Sequence, residues 1–223
     1  MTFFRVLALS DSGFPSGGFA HSGGLEAAAA LGAVSTPSDV ATFLDDIVDQ
    51  AATFSAPLVL AGHASSGNGE GPGLSALDAR ADVRLVSRVA NRASRTQGRT
   101  FFATALASFE DDLRALAPAV ESLPCKHHAP LFGAILAALG LDRITTARLY
   151  LFGQARGTTS AAVRLGLVGP HEAQVLLDAL GPRLERGVET ALATPLDRAA
   201  SSSPLLELRA ELHDTLYARL FLS

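Results

Sequence analysis

Cys125, Lys126, His127 and His128 stand side by side in the chain. A thiolate and two imidazoles are donors that suit nickel, copper or zinc. Gathered at a loop-to-helix junction, Cys125, His127 and His128 are candidate ligands for a weakly held metal in transit. A helix cap beside a packed histidine would use the same residue types. A second pattern is cationic. Arg80, Arg84, Arg88, Arg92, Arg95 and Arg99 recur every three or four residues. On one continuous helix they would share an arc of roughly 120°. Such a face, with Arg84, Arg88, Arg92 and Arg95 at its centre, could grip phosphates or an acidic partner. The plainer use is a solvated helix face, with Asp78 and Asp82 beside it. A third pattern is the run DSGFPSGGFAHSGGLE over residues 11–26. Its glycines allow close backbone approach, and Phe14 and Phe19 are apolar plugs among them. It could be an interaction site or a segment tucked against the body.

Several chemistries lack their usual motifs. There is no G-x-x-x-x-G-K-[ST] phosphate loop, and the only lysine, Lys126, is in no such setting. H-E-x-x-H, C-x-x-C and G-x-S-x-G are also absent. That lowers the case for an enzyme without closing it.

The elements that position these residues read as helices. The 223 residues are 48% hydrophobic and 18% charged, enough for a sizeable core in one domain. Alternating β-branched runs are scarce, whereas Ala, Leu and Arg dominate, so an all-α fold of about eight to ten helices is expected. A net charge of −4 argues against general nucleic-acid binding and leaves a local basic face open. The single cysteine excludes an intrachain disulfide framework. The opening MTFFR lacks a signal-peptide pattern, and the longest apolar run, 129–141, is too short for a bilayer. A soluble, cytoplasmic protein with no membrane partner is expected.

Helices are expected over 25–31 and from the Thr36-Pro37-Ser38-Asp39 start signal, with Pro57 kinking or ending the latter. Others are expected over 74–96, 101–116, 129–139, 144–153, 160–167 and 169–192. Gly157 should break the chain between the fourth and fifth of these. The four glycines within 63–73 read as a loop. The last expected helix spans 203–223, with Ser203 as cap and Pro204 in its first turn. Leu205, Leu208, Leu212, Leu216 and Leu220 would line one side of it, and Arg209 and Arg219 would point into that apolar arc. A guanidinium there must reach a carboxylate or a carbonyl, in the core or on another chain. The segment therefore reads as a docking element.

The run over residues 11–26 resembles the opening motif of the urease accessory protein UreF family, in its plant and actinobacterial form. Further matches follow in family order: ASRTQGR over 93–99, HHAPLFG over 127–133, SAAVRLGLVGP over 160–170, and SPLL through YARLF over 203–221. Two departures stand out. Arg156 is followed by Gly157 and Thr158 where relatives carry an Asp and an apolar residue, which puts the local helix in question. Gly23 and Gly24 would loosen the first helix.

The resemblance implies one all-helical UreF-like domain over 1–223. Residues 1–24 would be a Gly/Ser/Phe-rich N-terminal segment and 203–223 a partner-docking one. It implies no enzymatic activity and a tendency to homodimerise. It also implies a complex with UreD (UreH in some organisms) and the GTPase UreG that delivers nickel to apo-urease. GTP would be bound by that partner, and no cofactor would be held firmly by this chain. On this basis Tyr217, Arg219, Leu220 and Phe221 are the expected terminal anchors. Phe14, Phe19 and His21 are expected to line a second interface. The rival reading is a helical nucleic-acid-binding module using the Arg80–Arg99 face.

Overall fold

A computed structural model describes residues 3–67 and 72–223. The described residues form thirteen α-helices, two short 3-10 turns and one π turn, with no strand. The all-α expectation holds, with more and shorter helices than the sequence suggested. Among the described residues, no helix is long and apolar enough to cross a membrane.

Local chemistry accounts for the best-defined starts. Thr36 opens α3 (Pro37–Gln50) with a capping box. Thr36 Oγ1 accepts from Asp39 N at 3.2 Å, and the Asp39 carboxylate accepts from Thr36 N at 2.9 Å. Asp142 caps α10 (Arg143–Arg164) by accepting from Ile144 N and Thr145 N, each at 2.9 Å. Helix α10 runs unbroken through Gly157, against expectation. Alanines and Leu151 buried along it supply more than the ~1 kcal/mol that one glycine costs. Nothing lies within 4 Å of a Cβ built on Gly157, so that glycine answers no packing need.

Pro57 does not end the helical path. After α3 the chain makes a π turn (Ala51–Ser55) and continues as α4 (Ala56–Gly67). A proline has no N–H for the carbonyl four residues back, which here is Thr53 O. Ala200 N donates to that oxygen instead, at 3.2 Å. The neighbouring Gln50 Oε1 accepts from Ser202 N and Ser203 N at 2.8 and 2.9 Å. The π turn thus fixes the connection leading into the last helix. Residues 63–67 continue α4 rather than a loop, 68–71 lie outside the described residues, and only 72–73 of the stretch are described as non-helical.

Two other expected helices are divided differently. The 74–96 stretch splits into α5 (Leu74–Arg84) and α6 (Arg88–Ser108), with Ser87 capping α6 through Ala90 N at 3.2 Å. The arginine stripe therefore spans two helices with a turn between them, and α6 absorbs the start of the helix expected over 101–116. The helix expected over 169–192 is α11 (Pro170–Ala179) and α12 (Gly181–Ala193), since Pro182 belongs in a first turn. A helix over Phe3–Ser10, α1, was missed; Phe3 and Phe4 on it are exposed. Helix α9 (His128–Ala138) falls within a residue of expectation.

Helices α4 and α9 approach most closely. Gly133 faces Val59 O and Gly62 faces Pro130 O with no room for a Cβ. Phe101, Leu131, Ile135 and Leu136 pack on one side of this contact, and Leu58, Val59 and Leu151 on the other.

Candidate functional site

The terminal helix begins at the expected residues, although Ser203 makes no side-chain capping bond, and then departs. Helix α13 (Pro204–Leu212) is followed by a 3-10 turn (His213–Thr215) and by non-helical chain. The expected apolar arc does not enter the core: Leu205, Leu208 and Leu220 are exposed, and Leu206, Ala210 and Phe221 are buried in its place. The helix stops because backbone donors beyond it have better acceptors elsewhere. The buried Glu26 carboxylate, on α2 (Leu25–Ala30), takes Leu220 N, Phe221 N at 3.1 Å and His213 Nε2 at 2.8 Å. Ser223 O accepts from Ser22 N at 2.6 Å and from Ser22 Oγ at 2.9 Å. Leu222 N donates to Ala20 O at 2.8 Å.

The N-terminal run is thus the seat of the C-terminal one. Gly24, at φ 90°, lies so close to α13 that a Cβ would sit 3.1 Å from Ala210 N. Gly24, one of the pair expected to loosen the helix that follows, lets α13 pack closely against this turn. Arg164, from the end of α10, lies between two rings. Its guanidinium carbon is 4.0 Å from the Phe19 centroid and 4.2 Å from that of Phe221.

The structure brings Phe19, His21 and Phe221 together, although they were expected on separate surfaces. His21 Nδ1 lies 2.5 Å from Ser223 Oγ, so His21 is an internal strut rather than an open contact. Phe221 is likewise buried, whereas Phe19 is 70% exposed and Tyr217 wholly so. Leu220 is exposed, and Arg219 pairs with Asp214 at 3.1 Å. Phe14 turns inward, edge-on to Phe101 at 5.9 Å. It lines a cleft of about 410 Å³ between the N-terminal run and helices α6, α9 and α10, shared with His21 and His128.

The candidate basic face is largely engaged within the chain. Arg84 donates to the carbonyls of Leu196, Asp197 and Ala199. Arg88 pairs with Glu211 at 3.0 Å and Arg92 with Asp214 at 2.9 Å, both on the terminal segment. Arg95 pairs with Asp82.

The Cys-Lys-His-His junction is split. Asp78, fully buried on α5, accepts from Cys125 N at 3.0 Å and from His127 N at 2.8 Å. Between them Lys126 takes a left-handed φ of 62°. Cys125, His127 and Asp82 offer donor atoms within 4.8 Å of one another and are the described residues that could hold a metal. His128 is a correction. Its ring faces Phe101 and Phe132 at 5.6 Å and Tyr150 at 5.8 Å, so it belongs to an aromatic cluster. Burial pushes the Cys125 thiol up and the His127 imidazole down.

His21 and His128 are both pushed down from 6.5 to about 4. Burial dominates in each; His213 and Arg92 add to it at His21, and His21 adds to it at His128. A histidine whose folded pKa is depressed takes up its proton on unfolding. Its stabilising effect is therefore complete above 6.5 and falls as pH drops towards 4. These two groups give a slope approaching roughly 2.7 kcal/mol per pH unit in that window, and the depressed His127 adds to it with the same sign. Urea midpoints at pH 7.5 and 5 measure it, and His128→Gln should lower the slope by roughly 1.4 kcal/mol per pH unit.

Glu26, Asp78, Asp82 and Arg164 carry these arrangements and were not singled out from sequence. Glu26 ends the quoted N-terminal motif, but nothing local shows that its carboxylate collects donors from the far end of the chain.

An all-helical body whose two terminal segments close on each other defines the class. A model of the UreF family matches residues 34–181. The chain is 35% identical to urease accessory protein F of Arabidopsis thaliana, over 96% of this chain and 90% of that protein. It is 34% identical to urease accessory protein F of Oryza sativa subsp. indica, over 96% and 82%. It is 28% identical to urease accessory protein UreF of Trichodesmium erythraeum, over 97% and 94%. The chain belongs to the UreF family.

Proposed function

We propose that this chain is a non-catalytic, homodimeric, cytoplasmic adaptor in urease maturation. It joins UreD (UreH) to the GTPase UreG, and the assembled complex couples GTP turnover to nickel delivery into apo-urease. The names of the relatives support the setting. The observation that supports docking is the terminal segment itself. Polar contacts to Glu26 and Ser22 fix its backbone while Tyr217, Leu220 and Leu222 remain exposed. Exposed aromatic and aliphatic side chains on a fixed backbone suit a partner surface. The engaged arginines disfavour the nucleic-acid reading, which needs them free for phosphates.

The test is co-purification with UreD and UreG, with and without residues 213–223. Capture by the full chain alone supports the reading. Because truncation also removes the partner of Glu26, Tyr217→Ala with Leu220→Ala is the companion variant. It touches only exposed side chains and should lose capture while keeping the full-length melting temperature. Arg219→Ala should weaken capture by about 1–3 kcal/mol. Undiminished capture by both the truncated chain and the double variant would place docking elsewhere.

A further inference from the structure

We propose that Asp82, Cys125 and His127 form an exchangeable site for a borderline divalent transition-metal ion, and that Arg95 competes with the ion for Asp82. The site stands independently of the adaptor reading, since it concerns the isolated chain. Its donors are one thiol, one imidazole and one carboxylate, all within 4.8 Å of one another. A tetrahedral ion at ordinary bond lengths spaces its ligands by roughly 3.3–3.8 Å. The 4.8 Å limit exceeds that spacing by about 1 Å, the scale of a side-chain adjustment. Mixed sulfur and nitrogen donors select Zn²⁺, Co²⁺ or Ni²⁺ over Mg²⁺ and Ca²⁺.

The backbone under these donors is built with care for position. Asp78 clamps both Cys125 N and His127 N from a fully buried carboxylate. Lys126 holds a left-handed φ of 62°, a conformation that side chains rarely adopt without such support. Gly98 on α6 admits the Lys126 carbonyl where any Cβ would collide with it. His127 Nδ1 meets Ser94 Oγ at 3.1 Å, which orients the ring and turns Nε2 towards Asp82 at 3.2 Å. Metal-binding histidines are commonly oriented in this way through their second nitrogen.

Arg95 sets the strength. It pairs with the same Asp82 oxygen that faces His127, and its Nε is buried with no hydrogen-bond partner among the described residues. Displacing it gives up one ion pair and frees an ill-satisfied group. Arg99 lines the depression that opens onto Asp82, beside Arg88 and Arg92, which are paired with Glu211 and Asp214, so the approach keeps a cationic side chain. Both features keep affinity low and exchange fast.

The experiment is titration of the untagged, reduced full-length chain with Co²⁺, following the sulfur-to-cobalt charge-transfer absorption, then displacement by Zn²⁺. One Co²⁺ per chain with that absorption is expected. Cys125→Ser should abolish the absorption and weaken binding at least tenfold, with an unchanged melting temperature. Arg95→Met should tighten binding at least tenfold, a gain that structural damage would not produce. Saturation without the sulfur absorption, equal affinity in Cys125→Ser, or no gain in Arg95→Met would overturn the proposal.

Discussion

Glu26→Ala is expected to release the last residues of the chain and to lower stability by about 3–5 kcal/mol. The carboxylate is 8% exposed and takes three donors: one imidazole N–H and two backbone N–H groups. Alanine leaves all three without an acceptor in a place that water reaches poorly, and each unmet buried donor costs about 1–3 kcal/mol. The loss is not a simple sum, because the segment can peel away and rehydrate its donors. That peeling is the second observable. Arg219 should become a rapid trypsin site in the variant and resist cleavage in the parent. Glu26→Gln keeps an acceptor oxygen but adds two donors where only acceptors are wanted, so it should recover part of the stability. An unchanged urea midpoint with Arg219 still protected would show that the segment is held by Phe221 and its arginine stack instead.

The other large effect is expected at Gly133→Ala. A Cβ there would stand 1.8 Å from Val59 O and 2.8 Å from His63 N, both backbone atoms of the opposing helix. Helical backbone cannot yield as a side-chain tip can, so α4 and α9 must separate by more than an ångström. That opens the packing around Leu58 and Leu136, residues with essentially no exposure. Overpacking of this kind costs about 3 kcal/mol or more, at the upper end of such substitutions. Gly157→Ala is the matched control. It lies in α10 with nothing within 4 Å, and it should gain up to about 1 kcal/mol from helix propensity alone. Chemical denaturation of the two variants beside the parent checks the contrast. Equal small effects at both positions would mean that the α4–α9 contact is looser than described.

What could be read from the sequence was what local chemistry decides. The helical class, the Thr36 start and the span of α9 follow from composition, capping residues and apolar runs. The division at 85–87 is different. Ser87 Oγ both caps α6 and donates to Glu211 at 2.9 Å, so its role depends on a residue far along the chain. The end of α13 has the same origin: periodic leucines continue past Leu212, but Glu26 draws the backbone donors away. Gly157 was overweighted because its local cost is visible and the burial that offsets it is not. At the metal-ligand junction, Cys125 and His127 were legible as neighbours. Asp82 was not, because only the packing of α5 against that loop brings it near. His128 was misassigned because adjacent residues at a helix start point to different sides, and one of those sides is a cluster of rings.

Pro57 gives the molecule a built-in measure of length. By withholding one N–H it leaves Thr53 O open, and Ala200 N fills it. The stretch from Thr194 to Ser203 is therefore pinned at a fixed residue rather than hanging between two helices. An added or deleted residue between Thr194 and Ala200 would put a different amide at Thr53, shift Ser202 and Ser203 off Gln50, and start α13 out of phase. Surface connections usually drift in length among related chains at little cost. This one should not, and its constancy would be inherited from a hydrogen missing in the helix it is pinned to.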